Sequence, residues 1–135
     1  MIYNTWITKN NIGVESKDAS NVCLINSLFE DNKIQVNAYA KNWRYGAGGS
    51  VVADKAIFIS STNRFSADKN SSIRVIDSAV RPWPADSNPH VLMESTSDDS
   101  LSAGQIRTSG YEPGCVNLMK TWNLEGTGNR RGMIQ

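Results

Sequence analysis

The chain has one histidine and two cysteines in 135 residues, and the cysteines, Cys23 and Cys115, stand far apart. A zinc centre takes three or four His, Cys or carboxylate ligands, so no metal site and no cofactor are expected. A Ser-His-Asp triad would have only His90 to use, and no serine sits in a nucleophile-elbow pattern. His90 follows Pro89 at the start of an expected strand, where a loop-edge histidine is ordinary. Charge of one sign is also lacking. Fourteen Lys and Arg face thirteen Asp and Glu, giving a net charge of +1 with both signs scattered. That excludes the basic field by which proteins grip nucleic acid. The densest basic spot, Arg130–Arg131, lies near the C-terminus. Long apolar runs are missing too. No stretch approaches the ~20 apolar residues that span a bilayer. Met1–Thr8 has neither the basic nor the apolar part of a secretory leader, so the chain is expected to be made in the cytoplasm. Without a secretory context, Cys23 and Cys115 read as buried thiols acting as small hydrophobes, with a disulfide across the sandwich as the alternative should the fold bring them together.

What is present is short and heavily punctuated. Asn and Ser make up roughly a fifth of the chain, and both favour turns over helix interiors. About eight apolar runs of four to nine residues are cut apart by Asn, Ser, Asp and Gly. The cleanest alternation runs from Lys33 to Lys41, with Ile34, Val36, Ala38 and Ala40 on one face. Val51–Ser60 and Ile73–Ile76 also read as strands. Ser61–Ser72 reads as a long polar loop. Val22–Phe29 reads as a strand, with a short helix near residues 21–30 as the alternative, because Val22, Ile25 and Phe29 also fit helical spacing. Arg81–Pro89 contains three prolines, which lack donors, so it reads as an extended surface arm carrying Trp83. No internal repeat is evident. The pattern predicts one all-β domain over residues 1–135, an antiparallel β-sandwich or jelly roll of about eight short strands, with 123–135 as an extended tail.

Catalytic signals are weak. Asp98-Asp99 sits in a Ser-rich loop, where a solvated acidic turn is the simpler reading than a glycosidase pair. Ser95–Ser100 lacks the ligand spacing of a calcium loop. Gly46-Ala47-Gly48-Gly49 lacks the Lys-Ser/Thr ending of a phosphate loop and precedes a strand, so it reads as a hairpin or a close backbone contact. No catalytic residue is assigned.

Two aromatic clusters carry more meaning. Asn42-Trp43-Arg44-Tyr45 and Arg81-Pro82-Trp83-Pro84 set amphipathic side chains beside turns. Trp, Tyr and Arg are the types enriched at binding hot spots. The leading expectation is a non-enzymatic structural protein of a virion or similar assembly: a capsid decoration, head-fibre or tail-associated component. It would dock on copies of itself or on other structural proteins through Trp83, Arg81, Trp43, Tyr45, Arg130 and Arg131 and through ordered termini. The alternative is a lectin-like module in which Trp43 or Trp83 stacks on a sugar while Asn42, Asp86 and Asn88 bond its hydroxyls.

Overall fold

A computed structural model describes residues 1–98. The chain winds as a coil with three flat sides. The first turn holds β1 (Ile2–Tyr3), β2 (Trp6–Thr8) and β3 (Ile12–Lys17). The second holds β4 (Asn21–Ile25), β5 (Leu28–Glu30) and β6 (Ile34–Tyr39). The third holds β7 (Ser50–Asp54), β8 (Ile57–Ile59) and β9 (Phe65–Ala67). The fourth holds β10 (Ser72–Ile76) and β11 (Ala79–Arg81), and β12 (Val91–Glu94) begins a fifth. Like strands stack into three sheets, β1-β4-β7-β10-β12, β2-β5-β8-β11 and β3-β6-β9. Every strand pair among the described residues is parallel. This is a parallel β-helix, a solenoid in which each turn packs on its neighbours.

The antiparallel sandwich or jelly roll is therefore wrong. Short strands between turn residues suggest antiparallel pairing, but these turns bend the chain without reversing it. Asn4, Asn26, Lys55, Asp77 and Ser95 each follow a strand of the first sheet directly, with φ of 51°, 48°, 55°, 46° and 46°. A single residue in the left-handed region makes each corner, and Asn and Asp tolerate that region better than most side chains. The next residue is often a hydroxyl that ties neighbouring turns. Ser27 Oγ accepts from the Thr5 N–H at 3.0 Å, and Ser78 Oγ accepts from the Ala56 N–H at 3.1 Å. The helix alternative near residues 21–30 falls for the same reason. Val22–Phe29 is two strands bent at Asn26, with Leu24 and Phe29 both directed into the core.

A structural repeat is also present where none was evident. Ile2 pairs with Leu24, Trp6 with Leu28 and Ile12 with Ile34, each 22 residues on. Leu24 then stacks on Ala53 and Ala53 on Val75 inside the coil. On the second side Phe29 stacks on Phe58 with ring centroids 4.8 Å apart, and Phe65 meets Phe58 edge-on at 5.0 Å. Each such buried side chain contributes about 1.5–3 kcal/mol by leaving water.

At the corner between the second and third sheets an amide ladder serves the turns. Asn32 Oδ1 accepts from the Asn10 N–H, and Asn32 Nδ2 donates to Gln35 Oε1 at 2.8 Å. Gln35 Nε2 donates to Asn63 Oδ1 at 2.7 Å, and Asn63 Nδ2 donates to the Pro82 carbonyl at 2.8 Å. Asn32, Gln35 and Asn63 are all buried, and buried amides are tolerated because they are bonded. Ser61–Ser72, read as all loop, contains β9. Cys23 is buried, as expected of it. Cys115 and the tail 123–135 lie outside the described residues. Among those described, no helix is long and apolar enough to cross a membrane.

Candidate binding grooves

Two departures from the regular coil carry the aromatic clusters. The first is an enlarged corner between β6 and β7. Elsewhere three or four residues join the third sheet to the first, but here residues 40–49 do so. The extra chain is tightly built. Trp43–Tyr45 form one 3-10 turn, capped by Asn42, whose side-chain oxygen accepts from the Arg44 N–H at 3.0 Å. Gly46 closes it at φ 70°, with its N–H on the Trp43 carbonyl. Asp18 Oδ1, from the turn below, accepts from the Lys41 N–H at 2.6 Å and the Asn42 N–H at 2.8 Å. Hydrogen bonding by the Asn42 N–H, reinforced by that of Lys41 and by the charges of Lys17 and Lys41, holds the Asp18 carboxyl below its usual range despite some desolvation. From the turn above, Asp68 Oδ2 accepts from the Ala40 N–H at 2.7 Å.

The glycines complete this frame. A Cβ on Gly49 would lie 2.0 Å from the Ser16 carbonyl oxygen, and one on Gly48 would lie 2.8 Å from that of Asn70. This is the close backbone contact that their spacing suggested. The frame holds Trp43 and Tyr45 out in solvent, 83% and 61% exposed. The Arg44 guanidinium sits 5.7 Å from the Trp43 ring centroid. Beside them opens a shallow hollow of about 710 Å³, lined by Lys17, Asp18, Ser20, Lys41, Asn42, Trp43 and Tyr45.

The second departure is the arm 82–90, which replaces a third-sheet strand in the fourth turn. Side-chain amides pin it to the turn below. Asn63 bonds the Pro82 carbonyl, and Asn88 Nδ2 donates to the Ala67 carbonyl at 3.1 Å. Between the arm and residues 61–66 lies a groove of about 630 Å³ whose lining includes Arg64, Ser66, Trp83, Asp86 and Asn88. Trp83 is 45% exposed.

The structure thus gathers Asn42, Trp43 and Tyr45 at one groove and Trp83, Asp86 and Asn88 at the other. Arg81 is exposed at the end of β11, just before the arm, and is not part of the groove lining. Arg130 and Arg131 lie outside the described residues. Asn42 and Asn88 line their grooves, but their side-chain oxygens already accept from the N–H groups of Arg44 and His90, and Asn88 Nδ2 is also engaged. Both asparagines act chiefly as local braces. Lys17 and Asp18 were missed. They stand more than twenty residues before Trp43 and join it only because the coil stacks β3 beside β6, with Lys17 in register with Tyr39. Among the described residues no group of three His, Cys, Asp or Glu is placed to hold a metal. Comparison of the chain with protein-family models, with curated proteins and with solved structures finds no match.

Proposed function

We propose that this chain is a non-enzymatic glycan-binding β-helix, with the Trp43–Tyr45 corner as its principal contact surface. The observation that carries the reading is Trp43, held 83% exposed on a braced turn. Exposing an indole to water is unfavourable, and bracing it limits the ordering still to be lost when a ligand arrives. A flat aromatic face with polar groups around it suits a sugar ring, which offers C–H groups on one face and hydroxyls at its edge. Asp18 has its carboxylate tied to two backbone N–H groups, which suits holding a loop rather than transferring a proton.

The test is a panel of immobilised oligosaccharides with tryptophan fluorescence as the solution readout. Saturable quenching is expected, weakened at least tenfold by Trp43→Ala and unchanged by Trp6→Ala. Absence of binding across the panel, or a Trp43→Ala protein that binds as well as wild type, would end the reading.

A second reading, assembly with structural proteins, draws on the outer face of the second sheet. There Trp6, Leu28 and Ile57 form one row, and Ile59 stands beside it. Trp6 is 62% and Ile59 40% exposed. Light scattering over a concentration series tests it: a defined oligomer dispersed by Ile59→Lys supports docking there, and a strict monomer counts against self-assembly.

A further inference from the structure

We infer that the ligand of the Trp43 hollow is an anionic glycan, with its acidic group met by Lys17 and Lys41. The inference rests on the glycan reading above and names the class of sugar. It comes from the charges around the hollow. Lys17 and Lys41 line it, and Arg44 projects from the same turn as Trp43. All three side chains are exposed. The salt bridge found among the described residues joins Arg74 to Glu94, on the first sheet.

The carboxylates near the hollow are placed differently. Asp18 spends one oxygen on the N–H groups of Lys41 and Asn42. Glu15, two residues before Lys17 on β3, accepts from Asn37 Nδ2 at 3.0 Å and from the Tyr39 hydroxyl at 3.3 Å. Asp68 accepts from the Ala40 N–H and from Ser71 Oγ. Each is drawn in to brace backbone or a neighbouring side chain. Lys17 and Lys41 are exposed and line the hollow together with Trp43 and Tyr45. Among the residues lining the hollow, two cations face one anion, while the Arg44 guanidinium lies over one face of the Trp43 ring, 5.7 Å from its centroid. A neutral sugar would leave that surplus unused. A sugar acid would stack its ring on Trp43 and pair its carboxylate with an ammonium, a charge-assisted bond roughly twice as strong as a neutral one.

The other groove lacks this bias, because Arg64 and Asp86 both line it. The apolar row on the second sheet shows nothing of what would cover it. The Trp43 hollow is the feature whose residues specify a ligand chemistry.

The experiment compares a hexamer of a 1,4-linked uronic acid with the matching neutral hexamer and with poly-glutamate, on the full chain, by fluorescence titration. The uronic hexamer is expected to bind at least tenfold more tightly than the neutral one. The gap should narrow as salt rises from 20 to 500 mM, because screening shortens with ionic strength. Lys17→Gln with Lys41→Gln should remove the preference between the two hexamers, with a far-ultraviolet circular dichroism spectrum matching wild type to show that the coil is intact. If both hexamers bind wild type equally, or the double variant keeps the preference, this inference fails and the glycan reading stands. Equal binding of poly-glutamate would show a charge effect without sugar recognition and would also overturn it. If neither hexamer binds, this inference fails, and the glycan reading falls with it only when the whole oligosaccharide panel is also negative.

Discussion

Single atoms decide how closely the turns can approach. Gly49 and Gly48 sit where the enlarged corner crosses the turns on either side of it. The Gly49 N–H donates to the Tyr39 carbonyl, and its carbonyl accepts from the Ser72 N–H, so the backbone cannot slide away without losing both bonds. A methyl at Gly49 would meet the carbonyl of buried Ser16 at 2.0 Å. Gly49→Ala should therefore destabilise the protein by about 1–3 kcal/mol or more, the range for overpacking an unyielding site. Ala47→Gly, on the exposed side of the same loop, should cost about 1 kcal/mol or less. Urea denaturation of the two variants makes the comparison, and equal midpoints would show that the backbone there yields easily. The sequence marked these glycines as a contact or a turn, and the contact is real. It could not show that Ser16, more than thirty residues earlier, is the partner.

At the scale of the element, the residue 40–49 corner depends on two carboxylates from different turns of the coil. Asp68 holds its base at Ala40 through an N–H bond, and bonds from the Ser71 hydroxyl and the Asn70 N–H help keep that carboxyl below its usual range. Asp18 holds Lys41 and Asn42. Both folded-state values are lowered, so their contribution is fully present above the unfolded value near pH 3.9 and is lost as pH falls through the lower folded value. Acidification below about pH 4 should loosen this corner before the apolar core opens. Asp18→Ala should do so at neutral pH. Amide exchange at Lys41 and Asn42 reads the effect directly: faster exchange is expected there, with Val36 and Val51 unchanged. Unchanged Lys41 and Asn42 amides in the variant would mean that the loop is held by other contacts.

The same elements show what the sequence made legible. The alternation over residues 33–41 locates β6 and its buried Val36 and Ala38, but Gln35, on the face expected outward, is buried as well because the amide ladder takes it in. The three prolines, Pro82, Pro84 and Pro89, mark the arm because they cannot donate to a ladder, but Arg81, read as part of it, is the last residue of β11. The bend at Asn26 was invisible to periodicity: a one-residue corner resets the alternation without a loop, so β4 and β5 merge into one ambiguous run. Among the candidate contacts, exposed Trp43 and Trp83 could be picked out by residue type, whereas Lys17 and Asp18 required knowing the stacking of the turns.

At the scale of the whole molecule, the repeat is regular in space and irregular in sequence. Asn4 and Asn26, Asn10 and Asn32, and Ile12 and Ile34 match at a spacing of 22. The enlarged corner then stretches the spacing to 29 between Leu24 and Ala53, and the missing third-sheet strand shortens it to 18 between Val75 and Met93. No constant period survives, so the strands looked like unrelated pieces of an antiparallel fold. In a solenoid each turn draws its stability from its neighbours. Phe58 lies in the third turn, stacked on Phe29 of the second and edge-on to Phe65 of its own turn, and is fully buried. Phe58→Ala removes the ring from both contacts and should cost about 3–5 kcal/mol. Ile7 lies in the first turn, is only half-buried and pairs with Phe29 alone among the described strands. Ile7→Ala should cost clearly less, and its effect should stay local. Hydrogen exchange separates the two cases. Phe58→Ala should lower protection in β5, β8 and β11 together, because the inner stack of the second sheet runs through all three. Ile7→Ala should lower it in β2 while leaving β8 near wild type. If Ile7→Ala depressed protection equally in every turn, the described coil would unfold as a single unit, and the neighbour-by-neighbour account of its stability would be wrong.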